Sequence, residues 1–222
     1  MQRKEILCYG DSNTLGCIPR DTPWEHLLER YPPENRWPYL LSEILGPSYH
    51  VWEEGLGGRT TIYSPPDFEY LNGLHYLLPC LYSHRPLDLV IILLGTNDLA
   101  LEIPDLESNL CLGMKELVQL VKASPECGRG HIAPKILIIS PTHIKHVESR
   151  EDIYTSFKGE QGICLSHQFS SAYHTLAKEM DCFYMDAAAI VSPSDIDGVH
   201  WTAEAHHRFA EELANEVRTI LE

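Results

Sequence analysis

No Cys-x-x-Cys pair occurs in the chain, although it holds seven cysteines. Cys8, Cys17, Cys80, Cys111, Cys127, Cys164 and Cys182 are odd in number and scattered, which argues against a disulfide framework and against a zinc site. They read as buried or half-buried thiols in a reducing cytoplasm. Positive charge is scarce too. Lysine and arginine total 17 against 32 aspartates and glutamates, a formal net charge of -15 at pH 7. A surface that acidic repels phosphate backbones and anionic bilayers, so neither nucleic acid nor a membrane is an expected partner. No apolar run is long enough to span a bilayer. The chain enters an apolar strand within a few residues of Met1, which predicts that no secretory leader is present. Internal repeats and low-complexity tracts are also missing. Residues 1–222 therefore read as a single domain, long enough to bury a full core.

What is present is an alternation of short β-rich runs with helical patterns. The runs are Ile6–Tyr9, Tyr49–Trp52, Leu89–Leu94, Ile136–Ile139 and Phe183–Met185. The third is apolar without alternation, as in a strand covered on both faces. Helices are expected over residues 37–45, 70–83, 105–122 and 166–180, and after Thr202. In the third, Asp105 is the expected cap and Leu106, Leu110, Met114, Leu117 and Val121 form one apolar stripe. The last carries Ala210, Leu213, Ala214, Val217 and Leu221. Both stripes read as core contacts. Strands alternating with helices predict a three-layer α/β/α sandwich around a parallel sheet of about five strands. The segment 141–164 reads as long and irregular, placed after the fourth strand and over the active face.

Four turns, each after a probable strand or before the last helix, carry residues suited to ester cleavage. Ser12, in Gly10-Asp11-Ser12-Asn13, is the candidate nucleophile, thrown out where the first strand ends. His200 is the candidate base and Asp197, three residues earlier, the carboxylate that would fix its tautomer; Asp195 is the rival carboxylate. Gly58, Asn97 and the Ser12 amide are the candidate oxyanion donors. Singly, each has a plainer reading as a turn or capping residue; their conjunction in one chain carries the argument. Asp11 reads as structural, satisfying the amides of its turn. His143 and His146, and the adjacent His206 and His207, lack the partners of a zinc site and read as solvated or capping residues, the first two placed to line the site mouth.

On these residues the sequence resembles the SGNH hydrolases, also called GDSL-type esterases. The resemblance rests on Ser12 in Gly10-Asp11-Ser12-Asn13-Thr14, on Gly58, on Asn97 in Gly95-Thr96-Asn97-Asp98, and on His200 in Asp197-x-x-His200. Glu53-Glu54-Gly55-Leu56, Arg59-Thr60-Thr61, Leu71-Asn72-Gly73 and Asp88-Leu89-Val90-Ile91-Ile92 are similar to the arylesterase and acyltransferase branch. The resemblance implies a flavodoxin-like five-stranded sheet, a shallow site, no cofactor or metal, and cleavage of small acetyl or aryl esters. It also implies acyl transfer to alcohols and is compatible with a homo-oligomer. A carbohydrate acetylesterase or a thioesterase is the nearest alternative. A phosphate- or flavin-binding module on the same kind of sheet is the rival class, disfavoured because Asp11 would repel phosphate. The chain departs from the family at Glu54, where many members place asparagine. It also departs at Asn13-Thr14-Leu15-Gly16-Cys17, where the branch carries tryptophans.

Overall fold

The structure, a computed structural model, describes residues 2–23 and 29–222. Five parallel strands form one sheet: β1 (Lys4–Gly10), β2 (Tyr49–Gly55), β3 (Leu89–Leu93), β4 (Lys135–Ser140) and β5 (Phe183–Asp186). Their order is β2-β1-β3-β4-β5. The chain thus reverses direction across the sheet between β1 and β3, with Gly10 opposite Leu93. In open sheets of this kind the crevice beyond that switch point is where ligands bind. The helices are α1 (Ser12–Leu15), α2 (Trp37–Leu45), α3 (Gly73–His84), α4 (Leu112–Lys122), α5 (Glu151–Ser156), α6 (Glu160–Glu179) and α7 (Ala203–Leu221).

The pleat of β3 explains its unbroken apolar run. Leu89, Ile91 and Leu93 point into a core shared with Trp37 and Leu41 of α2 and Phe209 and Leu213 of α7. Val90 and Ile92 point into the opposite core, with Leu77 of α3, Leu117 of α4 and Phe169 and Tyr173 of α6. Both faces are covered, so every side chain of the strand is buried. Each such burial is worth about 2 kcal/mol. The two predicted stripes on α4 and α7 are likewise core. Thr202 caps α7 by accepting from Ala205 N at 3.2 Å, and Asn72 caps α3 through Leu74 N at 3.0 Å.

Several expectations need correction. Asp105 makes no capping bond. Its backbone is left-handed (φ 54), whereas a capping side chain reaches the second and third amides from an extended backbone. The pattern over 105–122 accordingly splits into a short 3-10 turn, Leu106–Asn109, and α4. The fourth predicted helix starts earlier than expected, at Glu160, and the helix expected from residue 70 starts at Gly73. The segment 141–164 is therefore partly helical, through Glu148–Arg150, α5 and the first turn of α6. It packs on the loop before α7, where Lys145 N donates to Gly198 O at 2.9 Å and Trp201 Nε1 donates to Thr142 Oγ1 at 3.0 Å. Cys164 is exposed rather than buried. Among the described residues no helix is long and apolar enough to cross a membrane.

Candidate active site

The turn of the candidate nucleophile, Ser12, begins where β1 ends. Gly10 lets Thr14 and β3 approach the backbone closely: a Cβ at this position would lie 2.0 Å from Thr14 Oγ1 and 2.8 Å from Leu93 O. Ser12 then opens α1, a single turn in which Gly16 N donates to Ser12 O at 2.9 Å. Asp11 Oδ1 accepts from Asn13 N at 3.0 Å. Its structural reading agrees with that bond. Burial pushes the Asp11 carboxyl up to about 6, against the pull of the Asn13 amide and of His200 and Arg59.

Gly58 sits third in a tight turn closed by Arg59 N on Leu56 O at 3.1 Å, and its φ of 79 is one that glycine adopts without strain. This turn is tied to the first. Gly10 O accepts from Leu56 N at 3.1 Å and from Arg59 Nη1 at 2.9 Å. Asn97, in the turn after β3, donates from Nδ2 to Arg59 O at 3.0 Å. A primary amide has two N–H bonds on Nδ2. One of them holds the Gly58 turn.

Asp98, next to Asn97, accepts from Thr61 N at 2.8 Å and Thr61 Oγ1 at 2.6 Å. Sequence reasoning passed over it, because nothing local distinguishes a buried aspartate from an exposed one. Burial pushes its carboxyl up to about 7, with the Thr61 bonds opposing. An unfolded aspartate titrates near about 3.9. Between those values the folded chain holds a proton that the unfolded chain has lost, so stability falls as pH rises through that window. Asp98→Asn keeps an oxygen for Thr61 N and cannot ionise. Its urea midpoint should fall less than the wild type's between about pH 5 and about pH 8. Equal falls in the two proteins would mean that another group titrates.

The candidate base, His200, comes from the loop before α7. His200 is buried, 1 % exposed, and its Nδ1 lies 2.7 Å from Asp197 Oδ2. Asp197 Oδ1 accepts from Val199 N at 3.0 Å and His200 N at 2.9 Å. Burial alone would raise the Asp197 carboxyl. The His200 bond and charge, with those two amides, more than offset it and hold the group below the usual carboxylate range. Asp195, the rival, is turned to solvent and pairs with Lys145 Nζ at 2.9 Å. The structure thus brings Asp197 and not Asp195 to His200. Side-chain bonds from Asn13 to Val199 O and Trp201 N join this loop to the Ser12 turn.

The other histidines take different places. His143 stacks on His167 with ring centroids 3.8 Å apart, and burial and that neighbour lower its pKa. His146 pairs with Glu151 at 2.5 Å. His207 is exposed and reaches Asn35 Oδ1 at 3.2 Å. His206 is not solvated as expected. It lies on the inward stripe of α7, between Tyr31 and Trp201, and burial pushes it down to about 3. Among the described residues one set of side chains could hold a metal ion: Glu54, Cys80 and His84, with donor atoms within 4.8 Å of one another. Here His84 Nε2 and Glu54 Oε1 already pair at 2.7 Å.

The chain is similar to the aryl esterase of M. smegmatis, with 37% identity, a TM-score of 0.91, and 98% of this chain and 100% of that chain covered. It is similar to a carbohydrate acetylesterase from Sinorhizobium meliloti at 36% identity and a TM-score of 0.90, covering 98% of this chain and 100% of that chain. A putative arylesterase from Agrobacterium tumefaciens matches at 35% identity and a TM-score of 0.85, again over 98% and 100% of the two chains. No curated protein matches the chain significantly. Residues 8–208 match the model of the GDSL-like lipase/acylhydrolase family, which spans all four turns described above. The chain belongs to the GDSL-like lipase/acylhydrolase family, the SGNH hydrolases.

Proposed function

We propose that this carboxylic ester hydrolase cleaves small acetyl or aryl esters through an acyl-enzyme on Ser12. One observation carries the reading: a buried His200–Asp197 pair, 2.7 Å apart, sits on a loop hydrogen-bonded to the turn that bears Ser12. Ser12 Oγ attacks the ester carbonyl while His200 takes its proton. Asp197 holds the ring in register and stabilises the imidazolium. Gly58 N, the Ser12 amide and the second N–H of Asn97 Nδ2 receive the oxyanion, each donor being worth about 3 kcal/mol in the transition state. His200 then protonates the leaving alcohol. Water, or a second alcohol, attacks the acyl-enzyme and frees Ser12. No cofactor is needed for either half-reaction.

The likeness to an aryl esterase and to a carbohydrate acetylesterase, at 37% and 36% identity, supports a small acyl group and leaves the alcohol open between a phenol and a sugar. A non-catalytic binding module would leave the Asp197–His200 pair without a role. The same proposal places the protein in the cytoplasm, where its unpaired thiols persist; finding it in a secreted fraction would overturn that placement. The substrate class is tested with p-nitrophenyl esters from acetate to decanoate beside acetylated sugars. We expect kcat/KM to be highest on the shortest chains. A maximum at octanoate or decanoate would exclude the small-ester reading, and turnover of acetylated sugars alone would assign the acetylesterase alternative.

A further inference from the structure

Arg59 follows Gly58 directly and is 3% exposed. Its guanidinium reaches the ends of the first two strands: Nη1 donates to Gly10 O at 2.9 Å and also to Glu54 O. Gly10 closes β1 just before the Ser12 turn, and Glu54 stands one residue before the end of β2. The guanidinium carbon lies 4.3 Å from the centre of the Tyr9 ring and 5.5 Å from that of Tyr76, so the charge rests against two aromatic faces. The backbone of the same residue is engaged as well. Arg59 N closes the Gly58 turn on Leu56 O at 3.1 Å, and Arg59 O accepts from Asn97 Nδ2 at 3.0 Å. One residue therefore touches all three turns that carry the proposed oxyanion donors: that of Ser12 through Gly10, that of Gly58 through its own amide, and that of Asn97 through its carbonyl. We infer that Arg59 is a positioning residue that sets the spacing of the Ser12, Gly58 and Asn97 donors around the oxyanion. This deepens the proposed function and rests on it.

The chemistry suits a guanidinium. It carries only donors, it keeps its proton at any working pH, and it is flat enough to lie on an aromatic face. A charged donor also makes the stronger hydrogen bond to a carbonyl. Methionine has an unbranched stem and no donor. In Arg59→Met the side-chain link to Gly10 O and Glu54 O is lost, and Leu56 N remains as the hydrogen bond from this turn to Gly10 O. The backbone of residue 59 is then free to shift, and Asn97, bonded to its carbonyl, shifts with it. A displacement of about 1 Å is enough to cost about 100-fold in rate, which is also the lower end of what loss of one oxyanion donor costs. Lysine keeps the charge. Its shorter stem and compact ammonium do not reproduce the flat contact with Tyr9 together with both carbonyl bonds.

The test measures kcat and KM on p-nitrophenyl acetate for wild type, Arg59→Met, Arg59→Lys, Asn97→Ala, the Arg59→Met/Asn97→Ala double variant and Ser12→Ala, with a thermal melt of each. The affinity for phenylboronic acid is measured beside them. Ser12 Oγ adds to its boron while His200 takes the serine proton, and one hydroxyl oxygen of the tetrahedral adduct then stands at the oxyanion position. Arg59→Met should lose about 100-fold in kcat with little change in KM, and a similar factor in boronic acid affinity. Arg59→Lys should lose about tenfold in both. Because Arg59 acts partly through Asn97, the double variant should lose about tenfold less than the product of the two single losses. A residue needed only for the fold would lower the melting temperature and leave kcat and boronic acid affinity of the folded enzyme in place. A folded Arg59→Met with wild-type kcat or boronic acid affinity, or single losses that multiply in full, would overturn the inference. Wild-type kcat in Arg59→Lys would assign the effect to charge alone and overturn it too. If Arg59→Met does not fold, Arg59→Lys decides by the same readouts. Ser12→Ala separates the two levels. Activity surviving in it would overturn the nucleophile assignment and this inference together. An inactive Ser12→Ala beside unaffected Arg59 variants would overturn this inference only.

Discussion

Ser12→Ala should lower kcat on p-nitrophenyl acetate by on the order of 10⁶-fold, the loss typical when a serine nucleophile that works as a unit with its base is removed. The argument is chemical. Without Oγ no acyl-enzyme forms, and the remaining turnover comes from the oxyanion donors acting on bound water. The fold should hardly notice: the turn is set by Gly10, by the Asp11 bond to Asn13 N and by the closure of α1 at Gly16, none of which uses the hydroxyl. A p-nitrophenyl phosphonate, which traps an activated serine, should add one adduct to the wild type by mass spectrometry and none to Ser12→Ala. Activity within tenfold of wild type, or an equal adduct on the variant, would assign the nucleophile elsewhere.

Asp197→Asn should cost about 10⁴-fold in kcat with KM little changed, as when a serine hydrolase's orienting carboxylate becomes an amide. Asparagine is nearly isosteric, so its oxygen still accepts from Val199 N and His200 N, as Asp197 Oδ1 does at 3.0 and 2.9 Å. The other arm changes sign. Nδ2 would now point a donor at His200 Nδ1, where the carboxylate accepts at 2.7 Å. The imidazole then places its proton on Nε2, and a protonated Nε2 cannot take the proton of Ser12. Asp195→Asn is the control, since that residue is solvent-exposed and paired with Lys145; its activity should stay near wild type. A reversed ranking of the two variants would sink the assignment of Asp197.

What was legible in the sequence was whatever repeats locally or needs a particular residue at a turn. The five strands could be read from their apolar runs, and β3 declared its double burial because it lacks alternation. The α4 and α7 stripes could be read because helical periodicity brings their residues to one face whatever lies opposite. Helix limits were less legible. Asp105 has the right residue type for a cap, but capping also depends on a backbone angle that the sequence does not display.

The site divides in the same way. Sequence by itself determined the chemistry on offer: a serine after a strand, a histidine three residues after an aspartate, a glycine and an asparagine in separate turns. Only the tertiary structure decided which groups meet. It paired His200 with Asp197 and sent Asp195 to solvent. It used one N–H of Asn97 to hold the Gly58 turn. It buried His206, which sequence reasoning had left in water. It also turned Asn13, an ordinary turn residue by sequence, into the bridge between the first and last loops of the site. Such pairings join residues far apart in the chain, so their partners depend on strand order and loop approach. Neither leaves a periodic or short-range mark for a sequence to show.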